Sequence, residues 1–222
     1  MLIQVVGLRE YQDKKSGKMR KADRFFSEGW RFNTIQEVLG PEAKALIQRI
    51  PENERFNMYY TAAHCYEDAK RKMAEMRIIP FDIDGIMVTD TYKEDALRIA
   101  ECVASVLKVP SSKLGVVFSG NGVQVIVNIE PVITDVAYFD KYRKHYGVLC
   151  DLIELKLKEK GLQGELDPTV FDDARILRLP WTENRKKDKP TRMAEVVQET
   201  IEPVPWRSEE RRVGKECLRL CR

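Results

Sequence analysis

The chain has 222 residues and little of what would mark a secreted, zinc-binding or membrane protein. Its five cysteines, at 65, 102, 150, 217 and 221, form no CxxC pair and no paired Cys/His spacing. That argues against a disulfide framework and a zinc site, and makes a reducing cytoplasm the default. Histidine is scarcer still, with two in the chain, one of them in the His64-Cys65 pair. Two adjacent ligands without partners are ordinarily core or loop residues, since a structural metal wants four. Apolar runs are too short to span a bilayer. The N-terminal MLIQVVGLREYQ lacks the basic start, apolar stretch and small-residue cleavage site of a signal peptide. A charge excess of one sign is missing as well. The net +3 comes from the last sixteen residues, which hold six Lys+Arg and three Asp+Glu and leave 32 of each sign in 1–206. Any groove for a polyanion must therefore arise from local clustering.

What the chain does have is a regular succession of strand and helix patterns. MLIQVVGLR reads as an opening strand and DKKSGKMRK as a turn. Thr34-Ile-Gln-Glu37 is a capping box that starts a helix running to about Ile50, before Pro51. The aromatic FNMYYTAA (56–63) and MRIIPFDID (76–84) read as strands, and Pro80 places the second at an edge or a bulge. Thr91 to Glu94 repeats the capping box and opens a helix to about Lys108, with apolar positions 96, 97, 100, 103, 104 and 107 on one face. Residues 114–129 form two apolar runs around Asn121-Gly122, a hairpin signal. A long helix is expected from Thr134 to Lys160, ended by Gly161 and serving as scaffold, and a late strand over 191–201. The order predicts an α+β fold, a mixed sheet covered by helices, without repeats or low-complexity linkers.

Three groups of residues carry chemistry. Asp82 and Asp84 flank Ile83 on a strand, and the period of two points both carboxylates to one face. Two carboxylates so placed repel unless a cation sits between them, and oxygen-only donors suit Mg²⁺ or Mn²⁺. Ser119-Gly-Asn-Gly-Val-Gln124 sets a hydroxyl, a glycine turn and an amide around the hairpin tip, where backbone N–H groups can approach phosphate; a plain β-turn has the same residues. Asp167 is followed by Arg175, Arg178 and Lys186, and guanidinium groups match phosphate geometry well. Arg175 and Arg178 would both face a triphosphate if the segment is helical or turns locally. A solvated basic loop, with Asp172 and Asp173 pairing the arginines, is the plainer reading.

Together the three groups resemble the archaeo-eukaryotic primase superfamily, in particular its primase-polymerase branch of phages, plasmids and mobile elements. The pattern is an hDhD strand, an SGxGxH hairpin, and an hD followed by R-x-x-R-x-P and often N-x-K. Here these read FDID (81–84), SGNGVQ (119–124) and LDPTVFDDARILRLPWTENRK (166–186), so the likeness spans roughly 56–200. The resemblance implies an RRM-like unit with an N-terminal α/β unit. One catalytic domain would then cover 1–206, with 1–55 its N-terminal part and 56–206 the motif-bearing core. It implies Asp82, Asp84 and Asp167 as the catalytic metal carboxylates, holding Mg²⁺ or Mn²⁺. Ser119, Gly120, Gln124, Arg175, Arg178 and Lys186 would bind the nucleotide. The implied reaction is transfer of a nucleotide from NTP or dNTP to a 3′-hydroxyl on a single-stranded or primed DNA template, with a helicase domain or protein as a further partner in replication.

The departure from the pattern is Gln124, which stands where the family has histidine; an amide donates a hydrogen bond but does not carry charge. A catalytically inactive nucleic-acid-binding relative is thus one alternative. A second is a haloacid-dehalogenase-type phosphatase, since FDIDG resembles its DxDGT; there Asp82 would be the nucleophile and Asp84 the general acid, though Ile86 stands where Thr or Ser is wanted. Residues 207–217, RSEERRVGKEC, resemble a translated sequencing adaptor, so 207–222 is expected to be a non-native tail with the natural sequence continuing differently after Trp206.

Overall fold

The computed structural model describes residues 2–12, 19–25, 30–65, 73–132, 136–172, 175–186, 189–199 and 202–204. The expected 207–222 tail lies outside these residues, as does the expected 13–21 turn up to residue 18; its last three residues, 19–21, belong to a strand instead. In chain order the elements are β1 (Ile3–Gln12), β2 (Met19–Phe25), β3 (Arg31–Phe32), α1 (Ile35–Leu39), α2 (Pro41–Ile47), β4 (Met58–Thr61) and β5 (His64–Cys65). There follow β6 (Met73–Asp84), α3 (Tyr92–Leu107), β7 (Leu114–Phe118), β8 (Val123–Val132), α4 (Val136–Glu159), β9 (Glu165–Leu166), β10 (Ile176–Arg178), β11 (Glu183–Asn184), β12 (Arg192–Met193) and β13 (Glu195–Gln198).

Two antiparallel sheets organise these elements. The central one runs β13-β7-β8-β6-β5, with β9 added beside the end of β6. The N-terminal one runs β10-β4-β1-β2, with β3 also on β1, while β11 and β12 form a separate pair. Strand alternation gives the central sheet two buried faces. Ile79, Phe81, Ile83, Val116, Val123, Val125 and Val127 pack with α3 and α4. Ile78, Val117 and Ile126 pack on the opposite side with β1, β4, α1, α2 and β10.

Pro80 sits in mid-strand without cost, and the pairing says why. The Tyr146 hydroxyl donates to the Pro80 carbonyl at 2.6 Å, so that carbonyl points away from β8. In a strand the nitrogen points the same way, so the missing N–H removes no ladder bond. Tyr146 also stacks on Phe81, with centroids 5.3 Å apart, which docks α4 on the sheet. The expected scaffold helix is thus present, and it ends at Gly161, where the Leu162 N–H reaches the Leu157 carbonyl at 2.9 Å.

Several boundaries differ from expectation. Thr34 does cap α1, accepting from the Glu37 N–H at 3.3 Å, but the helix breaks at Gly40 and restarts at Pro41 as α2, which ends at Ile47. Pro41 lacks an N–H and takes the first helical position, where none is needed. Thr91 does not cap α3 through its side chain. The buried stripe of α3 contains Ile99 and Cys102, whereas Leu97 is 37% exposed. The late strand is divided at Ala194 into β12 and β13. Cys65, Cys102 and Cys150 are buried thiols, and His64 is buried with Nε2 at 2.8 Å from the Asn33 carbonyl oxygen. No helix among the described residues is long and apolar enough to cross a membrane.

Candidate active site

Asp82 and Asp84 end β6 on the same face as Ile78, so they open toward the N-terminal sheet. Gln124 and Ser119 share that face by the same alternation, through Ile126 on β8 and Val117 on β7. Asp82 lies directly across from Gln124 in the β6–β8 register. Burial pushes the Asp82 carboxyl up to about 6, and the Asp84 charge adds to it; a hydrogen bond from Gln124 and the charges of Arg175 and Lys186 pull the other way.

Asp167 reaches the site through β9. Leu166 pairs with Ile83, and the Asp167 N–H donates to the Asp82 carbonyl at 3.1 Å. Its side chain is already engaged: Oδ1 accepts from the Thr169 N–H at 2.9 Å and hydroxyl at 2.6 Å, and Oδ2 accepts from Arg175 Nη2 at 3.1 Å. Burial pushes this carboxyl up, but the Thr169 hydrogen bonds and the Arg175 charge outweigh it and hold it below the usual range. Lys186 is half exposed, with Nζ 3.9 Å from Asp84 Oδ1.

Two features of this set suit a hard divalent cation. The Asp84 charge adds to the cost of ionising Asp82, and the buried Gln124 Oε1, a neutral oxygen of the kind such cations accept, has no hydrogen-bond partner among the described residues. The third expected carboxylate does not join them: among the described residues no three His, Cys, Asp or Glu side chains are gathered closely enough to hold a metal ion. Asp167 faces Arg175 and Thr169 instead.

The hairpin and the arginines also depart from the expected arrangement. The positive φ of the hairpin falls on Gly120, at +92°, not on Asn121-Gly122, so the first central turn position carries it. The Ser119 hydroxyl donates to the Gly122 carbonyl at 3.2 Å and is spent within the turn. Arg175 and Arg178 lie on and beside a strand, not a helix, and have different surroundings. Arg175 bonds Asp167 and Thr169. Arg178 is 4% exposed, and its guanidinium stacks 4.2 Å from the Tyr59 ring centre. Asn57, Tyr59 and Asn184, which accept from Arg178, and Arg192, whose Nη1 donates to the Gly120 carbonyl at 3.3 Å, are not among the residues expected at the site. Of these only Asn184 carried a signal, the N-x-K spacing to Lys186.

No protein-family model matches the chain, and no curated protein does. Solved structures do. The chain is similar to the AEP domain of the cyanophage S-2L primase-polymerase, with a TM-score of 0.51 and 12% identity over 95% of this chain and 88% of that one. Similarities of lower score run to primase RepB′ (TM-score 0.44, 14% identity, 98% of this chain and 59% of that one) and to the polymerase domain of Mycobacterium tuberculosis ligase D in complex with DNA (TM-score 0.49, 9% identity, 96% and 81%). The architecture is that of the AEP primase-polymerase fold.

Proposed function

We propose that this protein is a primase-polymerase, transferring a nucleotide from NTP or dNTP to a 3′-hydroxyl on a single-stranded or primed DNA template. The observation that carries the reading is the carboxylate pair Asp82–Asp84, flanked by the cations Arg175 and Lys186 on a fold shared with a primase-polymerase domain. Oxygen donors beside guanidinium and ammonium groups match a metal-bound triphosphate, whose charge must be neutralised as pyrophosphate leaves.

Asp82 and Asp84 would hold Mg²⁺ or Mn²⁺, with the amide oxygen of Gln124 in reach as a neutral donor. Bound there, the cation supplies activation of the attacking hydroxyl and charge neutralisation at the phosphates. Arg175 and Lys186 orient the triphosphate; Asp167, through its bond to Arg175, sets where that guanidinium sits. With the Ser119 hydroxyl turned inward, the hairpin offers backbone and Gly120 rather than a hydroxyl to the nucleotide. A replicative setting in a phage, plasmid or mobile element, with a helicase as partner, belongs to the same reading.

The test is incorporation of labelled nucleotides on single-stranded and primed templates with Mg²⁺ or Mn²⁺, comparing the parent with Asp84→Ala. Metal-dependent products are expected from the parent alone, with both proteins giving the same circular dichroism. Products from the folded variant would remove Asp84 from the metal site. No products from a folded parent would favour the inactive nucleic-acid-binding relative.

A further inference from the structure

Arg178 is a cation enclosed among neutral groups. Its Nη1 donates to Asn57 Oδ1 at 3.2 Å, and its Nη2 donates to the Tyr59 hydroxyl at 2.8 Å and to Asn184 Oδ1 at 2.9 Å. Among the described residues none of its bonds goes to a carboxylate. Burial pushes its pKa down, and Tyr59 and Asp82 oppose that. A charge kept in such a place, at the desolvation cost this implies, calls for a role that a neutral side chain could not fill.

Its partners lead to the two walls of the site. Asn57 holds a left-handed backbone, φ +49°, and binds Arg185 on both main-chain groups: Oδ1 accepts from the Arg185 N–H at 3.0 Å and Nδ2 donates to its carbonyl at 3.1 Å. The next residue is Lys186, whose ammonium faces Asp84. Asn184, 1% exposed, turns its other amide atom to the hairpin and donates to the Ser119 carbonyl at 2.7 Å. One guanidinium thus joins β4, the segment bearing Lys186, and the glycine turn.

We propose that Arg178 is a positioning residue that sets Lys186 and the 119–122 turn relative to the carboxylate pair, and that it does not itself touch the triphosphate. The inference rests on the nucleotidyl-transferase reading above. A planar fork with a stacking face suits the task; an ammonium cannot lie flat on Tyr59 while reaching both Asn57 and Asn184.

The experiment is calorimetric binding of dGTP and dGMP to the full chain with Ca²⁺, for the parent, Arg178→Lys, Asn184→Ala, Asn57→Gly, Lys186→Ala and the Arg178→Lys/Asn184→Ala double variant. Thermal melting is followed in parallel. Glycine at 57 keeps the positive φ available while removing the amide. Each of the three network variants is expected to weaken dGTP about tenfold with dGMP nearly unchanged, as loss of one well-placed charge contact does. The double variant should be no weaker than either single one. Weakening by Arg178→Lys with Asn184→Ala and Asn57→Gly both silent would make Arg178 a direct ligand and overturn the proposal. Lower melting temperatures with unchanged dGTP affinity would reduce it to a structural role and overturn it equally. A parent that binds dGTP no better than dGMP would instead remove the underlying reading.

Discussion

At the scale of single residues, Asp82 shows how the site is held under electrostatic tension. An aspartate ionises at 3.8 in the open chain and here at about 6. Between these values the folded protein keeps a proton that the unfolded chain has released, so stability falls as pH rises through roughly 4 to 6. Above that window the full cost of an ionised, half-buried Asp82 is present, on the order of 1–3 kcal/mol. Asp82→Asn keeps the shape and removes the charge. In chelator at pH 7.5 it should be more stable than the parent by about that amount, and the gain should vanish near pH 4. Urea titrations at both pH values measure it; a variant less stable at pH 7.5 would mean that the carboxylate is stabilised by its neighbours instead. On the proposed function, a cation held between Asp82 and Asp84 would relieve the same strain, and the destabilisation would be the counterpart of affinity.

At the scale of elements, the hairpin β7–β8 is placed against the end of β6 by a glycine. A Cβ on Gly122 would lie 2.5 Å from the Ile83 carbonyl oxygen and 3.0 Å from Asp84 Oδ1. Gly122→Ala must therefore push the turn off the strand that carries both aspartates. A cost of about 1–3 kcal/mol is expected, as for other overpacked sites, together with a loss of nucleotide incorporation. Equal urea midpoints and equal activity would show that the turn yields freely. The same elements mark what could be read from sequence. The apolar runs named both strands of this hairpin and the carboxylate strand, because period-two alternation is local. The positive φ of Gly120 was not singled out, because Gly120-Asn121 and Asn121-Gly122 are both hairpin signals and spacing alone does not choose between them. The partition of the Thr34 helix lay within reach of the sequence, since Gly40-Pro41 is a local break in an otherwise continuous pattern. The surroundings of Arg178 were not readable from its neighbours in sequence. A strand, not a helix, carries it, and β10 pairs with β4 more than a hundred residues earlier, with Arg178 opposite Tyr59; no local spacing encodes that partner.

At the scale of the whole molecule, the division at residue 55 is a boundary in the motifs and not in the packing. The apolar cluster behind the carboxylate face draws Ile3, Val5, Ile35, Val38, Leu39 and Ile47 from before that point. It draws Tyr60, Ile78, Val117, Ile126, Leu177 and Leu179 from after it. β4 depends on β1 for one of its two neighbours, through Val5↔Tyr60, Val6↔Tyr59 and Gly7↔Met58. Without residues 1–55 the motif-bearing core would expose the sheet face on which Asp82 and Gln124 stand, and β4 would keep only the three-residue β10 beside it. Burial of several Ile, Leu and Val side chains at about 1.5–3 kcal/mol each exceeds the margin by which a domain of this size is stable. A chain beginning at residue 56 should therefore fail to fold cooperatively, giving poor amide dispersion by NMR and no calorimetric transition. The full chain should unfold in one transition. If the truncated chain instead melted cooperatively and still bound dGTP with Ca²⁺, the N-terminal sheet would be an accessory, and the carboxylate face would owe its placement to α3, α4 and the central sheet alone.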